Sequence, residues 1–141
     1  MIDISYIHLA LLVVDFGLLI LIWLVQLVIY PGFTFYATED LKVWHQKYTS
    51  AVTIVVFPLM VSQLVLSLYS LISAADTFHL VHILLVLTAW AHTFIIAAPL
   101  HQKIERSDDP KEVAKSLVSK NKWRVLIWTL AFLLSLKNIF F

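Results

Sequence analysis

The chain has 141 residues, of which 61% are hydrophobic and only 13% charged, and its mean hydropathy is +0.89. A soluble domain of this length cannot enclose so much apolar surface in one core, so the excess surface must face lipid. With no cysteine, two glycines and a net charge of +1, the chain lacks a thiolate metal site, a phosphate-binding glycine loop and a basic surface for nucleic acid.

Four apolar runs follow one another along the chain, at about residues 4–30, 49–75, 78–100 and 123–141. Each approaches or exceeds the ~20 residues that an α-helix needs to cross a bilayer. We therefore expect an all-α fold, in which a four-transmembrane-helix bundle forms one domain of a polytopic membrane protein over residues 1–141. Pro31-Gly32 is expected to break the first helix, and Asp76 or Thr77 to cap the third helix.

Two short amphipathic helices are expected in the loops. The stretch from Ser107 to Glu112 has the pattern of a capping box with a proline at the first helical position, and this predicts a helix to about Ser119. The apolar side chains of that helix would rest on the membrane or on the bundle. The segment 38–47 has a similar pattern and would lead into the second span.

Basic residues are concentrated on one side of the predicted topology. Nine of the ten lysines and arginines fall in the loop after the first span or the loop after the third span, and Lys137 is the exception. Because cytoplasmic loops carry an excess of such residues, we expect these loops to be cytoplasmic and both termini to be outside. The nine residues are Lys42, Lys47, Lys103, Arg106, Lys111, Lys115, Lys120, Lys122 and Arg124.

Polar side chains occur within the apolar runs, where they are costly and usually face the interior of a bundle. On the first span, His8, Asp15 and Gln26 share one stripe because their spacings are close to multiples of the helical repeat. Depth along the helices divides the polar residues into two layers. The outer layer contains His8, Asp15, Gln63, His79, His82 and Lys137, and the inner layer contains Gln26, His45, Thr53, His92, His101 and Thr129.

Several of these side chains also have a purely structural explanation. Histidines at helix ends often lie at the membrane interface, a lysine near a terminus can extend to the membrane surface, and a buried acid or imidazole can bond a polar neighbour. The residues concerned are His79 and His101 at helix ends, Lys137 near the terminus, Asp15 with Lys137 or Gln63, and His92 with Thr53 or Thr129.

Five segments carry a resemblance to a known family. They are Tyr6-Ile7-His8, Gln26-Leu27-Val28-Ile29-Tyr30, Phe57-Pro58-Leu59-Met60-Val61, the histidines His79 and His92 thirteen residues apart, and a last span from Asn121 to Lys137. On these segments the chain resembles the small, haem-dependent bacterial protoporphyrinogen IX oxidases, whose helical membrane domain binds a b-type haem. The resemblance implies a bacterial cytoplasmic (inner) membrane protein in which His8 is associated with haem.

Gln26 and His82 depart from that family, which has an arginine and a lysine at the corresponding positions. Those two basic groups are natural partners for porphyrin carboxylates, so the resemblance here implies haem binding rather than porphyrinogen oxidation. A second, shorter resemblance links the C-terminal half to the anthrone-oxygenase-like family of four-helix membrane proteins. It is carried by Ala98-Pro99-Leu100-His101 and Lys122-Trp123-Arg124.

These observations favour an integral membrane protein that binds haem b or a metal ion in a histidine-lined pocket of the outer half, with an oxidoreductase-like function. Neutral imidazole is a common ligand of both, and bundle cores hold such cofactors. The residues assigned are His8, His79, His82, His92 and Gln63 to cofactor binding, His8 and His82 to a metal ion, and Asp15 and Lys137 to catalysis.

Two other functions fit the same residues. A non-catalytic accessory subunit would use its inward polar residues only for helix packing, and its lipid-facing surface for contacts in a homo-oligomer or a larger membrane complex. A proton or ion conductor would use Asp15, His92 and His45 as relay steps. The sequence contains no H-E-x-x-H motif, no carboxylate cluster for two iron ions and no serine or cysteine nucleophile pattern, which argues against hydrolytic chemistry.

Overall fold

The computed structural model describes residues 4–140, and every element within that range is helical. Four long helices follow one another. Helix α1 is Ile4–Leu24, and it is continued by a π-helical turn at Val25–Ile29, a short α-helical turn at Tyr30–Gly32 and a 3-10 turn at Phe33–Phe35. Helix α2 is Thr38–Ser73 and α4 is Pro110–Phe140. Helix α3 is Thr77–His92, and it is continued by a π-helical turn at Thr93–Ala97 and an α-helical segment at Ala98–Arg106. Phe141, the predicted end of the last span, lies outside the described residues.

All four helices are long and apolar enough to cross a membrane, which confirms the prediction of an all-α, multi-pass bundle. Their outward faces are covered with apolar side chains, and on α1 alone Leu9, Val13, Phe16 and Ile20 are 51–62% exposed. A continuous apolar surface of this kind is an aggregation hazard in water but is the natural surface against lipid hydrocarbon. The bundle is therefore built for contact with a bilayer.

The four helices run up and down in turn. Helix α1 packs against α2 and α4, and α3 packs against the same two helices. His8 near the start of α1 contacts His79 near the start of α3, and Tyr30 contacts His101 near the ends of the same helices. Helices α1 and α3 are therefore parallel. The connections 36–37 and 107–109 lie at one end of the bundle, here named the basic end, and the turn 74–76 lies at the opposite end.

The two short amphipathic helices are not separate elements. Residues 38–47 form the first turns of α2, and residues 110–119 form the first turns of α4. Neither glycine nor proline separates these segments from the spans that follow, so each helix continues through the junction without losing a backbone hydrogen bond there. The predicted start of the second segment is confirmed: Pro110 is the first helical residue, and the carboxylate of Asp109 accepts the N–H of Glu112 at 3.2 Å.

Pro31 and Pro99 each follow a π-helical turn, and Pro31-Gly32 does not break α1. A proline has no N–H to donate, and its ring clashes with the carbonyl four residues earlier in an α-helix. Widening the preceding turn moves that carbonyl aside, so the helix continues. In both helices the residue before the proline bonds a carbonyl five residues back: Tyr30 N–H donates to Val25, and Ala98 N–H donates to Thr93.

Asp76 caps α3, as one of the two predicted candidates. Its Oδ1 accepts the backbone N–H of His79 at 2.9 Å. Because this bond favours the ionised carboxylate, it holds the pKa of Asp76 below its ordinary value of 3.8. The side chain is 55% exposed, so the cap lies at the surface of the opposite end.

Asp76 should therefore contribute to a loss of stability in acid. Its pKa is lower in the folded state, so its contribution is complete above pH 3.8 and is lost as the pH falls through the lower, folded-state value. Asp76→Ala should lower the melting temperature well above pH 3.8. When the pH is then lowered below 3.8, the melting temperature of this variant should fall by less than that of the wild type. Thermal unfolding in detergent at two pH values measures this. Asp108→Ala, at another exposed acid, should change neither value.

Candidate functional site

Polar side chains gather at three depths inside the bundle. At the opposite end, the Nε2 atoms of His8 and His79 lie 3.1 Å apart. His79 is buried and its Nδ1 lies 2.9 Å from the Asp76 carboxylate, whereas His8 is half-buried. Two of the predicted cofactor ligands are thus in direct contact, with a carboxylate beside one of them.

This arrangement of the histidine pair does not fit a haem between the two rings. Two axial bonds to one iron would separate the nitrogens by about 4 Å, twice the ~2.0 Å length of a metal–imidazole bond. The Nε2 atoms of His8 and His79 are closer than that and already bond each other. Among residues 4–140, no group of three or more histidine, aspartate or glutamate side chains is placed to hold a metal ion.

A fully buried carboxylate lies deeper, at Asp15, and three side chains from the other three helices bond it. Gln63 donates to its Oδ1 at 2.6 Å, Ser135 donates to its Oδ2, and His82 Nε2 lies 2.8 Å from the same Oδ2. Trp128 fixes the orientation of Gln63 by donating its indole N–H to Oε1 at 3.3 Å. These five residues are named the aspartate cluster.

The hydrogen bonds of His82 determine where its protons lie. The hydroxyl of Ser67 donates to the backbone carbonyl of Gln63 at 2.7 Å, so it must accept the Nδ1–H of His82 at 3.0 Å. One further proton is shared between His82 Nε2 and Asp15, and the pair has zero net charge wherever that proton lies. His82 therefore has no free nitrogen for a metal or haem iron.

Asp15, His82 and Ser67 are connected in the order of a Ser–His–Asp triad, but the arrangement does not expose a nucleophile. Ser67 is 1% exposed, its hydroxyl is bonded to its own helix, and it does not line the cavity described below. The aspartate cluster joins all four helices by hydrogen bonds in a medium without water, which is a structural role.

Two predicted site residues lie outside both groups. Lys137 is exposed and does not reach Asp15, as expected for a side chain that extends to the membrane surface. Both ring nitrogens of His92 are buried without a hydrogen-bond partner among the described residues. Thr53 and Thr129, its predicted partners, donate instead to carbonyls of their own helices.

A cavity of about 280 Å³ lies between the helices toward the basic end. Val25, Thr93 and Ala97 line it, so both π-helical turns border the space that they help to create. Phe57 and Phe94 also line it, and their side chains are 51% and 56% exposed on the outer faces of α2 and α3. The cavity thus reaches the lipid-facing surface between these two helices.

The inner end of the cavity is polar, and its charge comes from Arg124. This side chain is only 7% exposed; it donates to Asn121 at 3.3 Å, and its guanidinium lies 5.0 Å from the ring centre of Trp128. Its Nε has no partner, and no carboxylate in the described part of the chain lies within 4.0 Å of it. A buried charge without a counter-charge is costly unless a ligand supplies one.

Two further cavity residues, Tyr30 and His101, begin a chain of hydrogen bonds that leads away from Arg124. The Tyr30 hydroxyl lies 2.9 Å from His101 Nε2, His101 Nδ1 lies 2.8 Å from His45 Nε2, and His45 Nδ1 lies 3.3 Å from a Glu105 oxygen. His45 is fully buried, whereas the Glu105 side chain is 34% exposed. The chain connects the cavity with the surface at the basic end.

Sequence reasoning missed most of this second site. The sequence pattern places His45 and His101 in the inner polar layer without a cofactor role, His45 only as a relay step of a conductor, and it places Arg124 with the loop residues. Two signals could have found it: His101 follows Pro99 closely, and Arg124 stands one helical turn before Trp128 in an apolar run. Gln26, where the resembled family has an arginine, donates to the Val118 carbonyl and accepts from Asn121, and so fastens α1 to α4.

Comparison of the chain with protein families, curated protein sequences and solved structures gives no match. The fold and the cavity therefore define the class of protein: an all-α, multi-pass bundle of four helices with an internal cavity that opens toward lipid. A fold of this kind hosts many activities, so the function has to follow from the chemistry of the cavity.

Proposed function

We propose that this protein binds an amphipathic molecule with an acidic head group, and takes it up from the bilayer into the cavity. The observation that carries the proposal is Arg124, a buried guanidinium with an unpartnered Nε at the inner end of an apolar cavity. An anionic head group would supply the missing counter-charge through charge-assisted hydrogen bonds. The hydroxyl of Tyr30 and the ring of His101 stand beside that position.

The remainder of the cavity suits the apolar part of such a molecule. Its walls between Arg124 and the lipid-facing side are aliphatic and aromatic, with Met60 and Trp90 among them. The volume of about 280 Å³ is at the lower end of the range for small-molecule pockets, roughly 300 Å³ and upward. Because the mouth at Phe57 and Phe94 faces the bilayer, a long tail can extend from it among the lipid chains.

The orientation in the membrane belongs to the same proposal. Lysines and arginines are concentrated in the connections and helix ends at the basic end, which supports a cytoplasmic position for that end and an external position for both termini. Location in a bacterial inner membrane also belongs to the proposal, and its support is the resemblance to the haem-dependent oxidase family. The acidic head group would then be held near the cytoplasmic face.

Binding of oleate to the purified protein in detergent tests the proposal. Arg124→Met keeps most of the side-chain volume and removes the charge, and should weaken oleate binding by about tenfold or more, since a desolvated charged contact contributes ~2 kcal/mol or more. Lys122→Met, at an exposed residue of the same helix, is the matched control and should bind as the wild type does. Oleyl alcohol, which lacks the carboxyl group, should bind Arg124→Met and the wild type with equal affinity. Equal oleate affinity in both proteins would contradict the proposal.

Haem or metal binding with an oxidoreductase function stays a second hypothesis. Its support is limited to the placement of His8 and His79 at one end of the bundle, with Asp76 positioned to orient one ring, because their present spacing does not admit an iron atom between them. An absorption spectrum and iron analysis of the purified protein test it. A Soret band that disappears in His8→Ala is the expected result, and a colourless, iron-free protein would contradict it.

A further inference from the structure

We infer that Tyr30, His101, His45 and Glu105 form a proton-transfer chain, which carries the proton of the bound acid from the cavity to the surface at the basic end. The acid as the proton source rests on the proposed function, whereas the direction of the chain follows from its own geometry. Three consecutive hydrogen bonds of 2.9, 2.8 and 3.3 Å join the four residues.

The carboxylate at the surface end fixes the direction of every bond. Ionised Glu105 can only accept, so His45 carries a proton on Nδ1. Because the ring is fully buried, the neutral imidazole is favoured, and its Nε2 is bare. That nitrogen must accept the Nδ1–H of His101. The bare Nε2 of His101 then accepts the Tyr30 hydroxyl. Both histidines are thus neutral, with the proton on Nδ1, and each residue can pass one proton forward.

The surroundings isolate His45 from water. His45 has no exposed surface, and the rings of Phe33 and Tyr48 pack around it with centroids 5.5 and 6.4 Å away. Arg124 on α4 is the charged group beside the cavity end, where its positive charge disfavours an additional proton on His101. Because His45 is enclosed and the charge of Arg124 opposes a further proton on His101, the proton moves by concerted transfer rather than through a lasting imidazolium ion.

The transfer balances in protons and charge. The acid R–COOH gives its proton to the Tyr30 oxygen, Tyr30 passes its own proton to His101 Nε2, His101 passes its Nδ1 proton to His45 Nε2, and His45 passes its Nδ1 proton to Glu105. The products are R–COO⁻ beside Arg124 and a neutral Glu105. Glu105 is 34% exposed and releases its proton to water. Both histidines now carry the proton on Nε2, and reorientation of the rings resets the chain for the next acid.

Nitrogen NMR of ¹⁵N-histidine-labelled protein tests the direction without any ligand. His45→Phe and His101→Phe assign the two signals, and both residues should be protonated on Nδ1 and bare on Nε2. A proton on Nε2 of either histidine in the ligand-free protein would overturn the proposed direction. This experiment decides the direction of the hydrogen bonds even if the protein binds no oleate. Failure to bind oleate would contradict the proposed function, but not the direction of the chain.

Proton release on ligand binding tests the transfer itself. Full-length protein in detergent is mixed with oleic acid at a pH where the acid is partly protonated, and a pH-indicator dye follows the released proton. Glu105→Gln and His45→Phe should bind oleate with unchanged affinity and release the proton about tenfold or more slowly, as expected when a positioned proton carrier is lost. Glu112→Gln, at an exposed acid of α4, is the control and should release it at the wild-type rate. Wild-type release rates in both test variants would overturn the inference.

Discussion

Asp15→Asn is expected to lower the free energy of unfolding by about 3 kcal/mol, the largest stability loss predicted for this protein. The carboxylate accepts bonds from Gln63 and Ser135 and shares a proton with His82. An asparagine in its place has only one accepting oxygen for Gln63 and Ser135, and it removes the proton that Asp15 shares with His82. Inside a lipid bilayer no water can satisfy the groups that lose their partner.

Unfolding of the detergent-solubilised protein in SDS measures this loss. Asp15→Leu combined with His82→Leu removes both members of the pair, and it should cost less than the sum of the two single substitutions, because no half of the pair is left buried alone. Asp108→Asn is the control at an exposed acid. A change smaller than about 0.5 kcal/mol in Asp15→Asn would show that the aspartate cluster does not hold the helices together.

Arg124→Met is expected to stabilise the ligand-free protein, in contrast to Asp15→Asn, and to raise its free energy of unfolding by about 1–2 kcal/mol. The substitution removes a buried, unpaired charge and its unpartnered Nε, while the methionine still covers the ring of Trp128. The bond to Asn121 is lost, which is a smaller effect. Such a gain would mean that the protein keeps the buried charge of Arg124 at a cost in stability, which a role in ligand binding explains.

The same unfolding experiment with and without oleate separates the two roles of Arg124. Saturating oleate should stabilise the wild type through binding to the folded state and should have little effect on Arg124→Met. Lys122→Met should follow the wild type in both conditions. If Arg124→Met instead loses more than about 1 kcal/mol without ligand, the guanidinium is paired in the folded protein and the proposed function loses its main support.

The bundle could be predicted from the sequence because a run of about 20 apolar residues has few alternatives to a spanning helix. The inward position of Asp15 followed from helical periodicity, and its bond to Gln63 was one of the predicted structural explanations. Which polar residues meet across helices could not be predicted in this way. That depends on the rotation and depth of each helix in the bundle, which small packing differences decide.

Arg124 shows why the second site was missed. Arg124 stands at the start of the fourth apolar run, and the rule that places basic residues outside the membrane assigns it to the preceding loop. The structure extends α4 back to Pro110, and this brings Arg124 inside the bundle with its side chain on the buried face. The π-helical turns before Pro31 and Pro99 were equally hidden, because a proline in a helical pattern usually predicts a break or a kink.

The zero net charge of the Asp15–His82 pair determines how a membrane voltage acts on this protein. A potential across a bilayer exerts force on net charge, at about 2.3 kcal/mol per elementary charge for each 100 mV of the field that is crossed. A proton that shifts between two atoms 2.8 Å apart crosses little of that field. Arg124, by contrast, places a whole charge inside the bundle, and under the proposed function a carboxylate that forms beside it would cancel that charge once the proton of the acid has left. Under the proposed function, a membrane voltage would therefore act on the charges at Arg124 and leave the Asp15–His82 pair almost untouched.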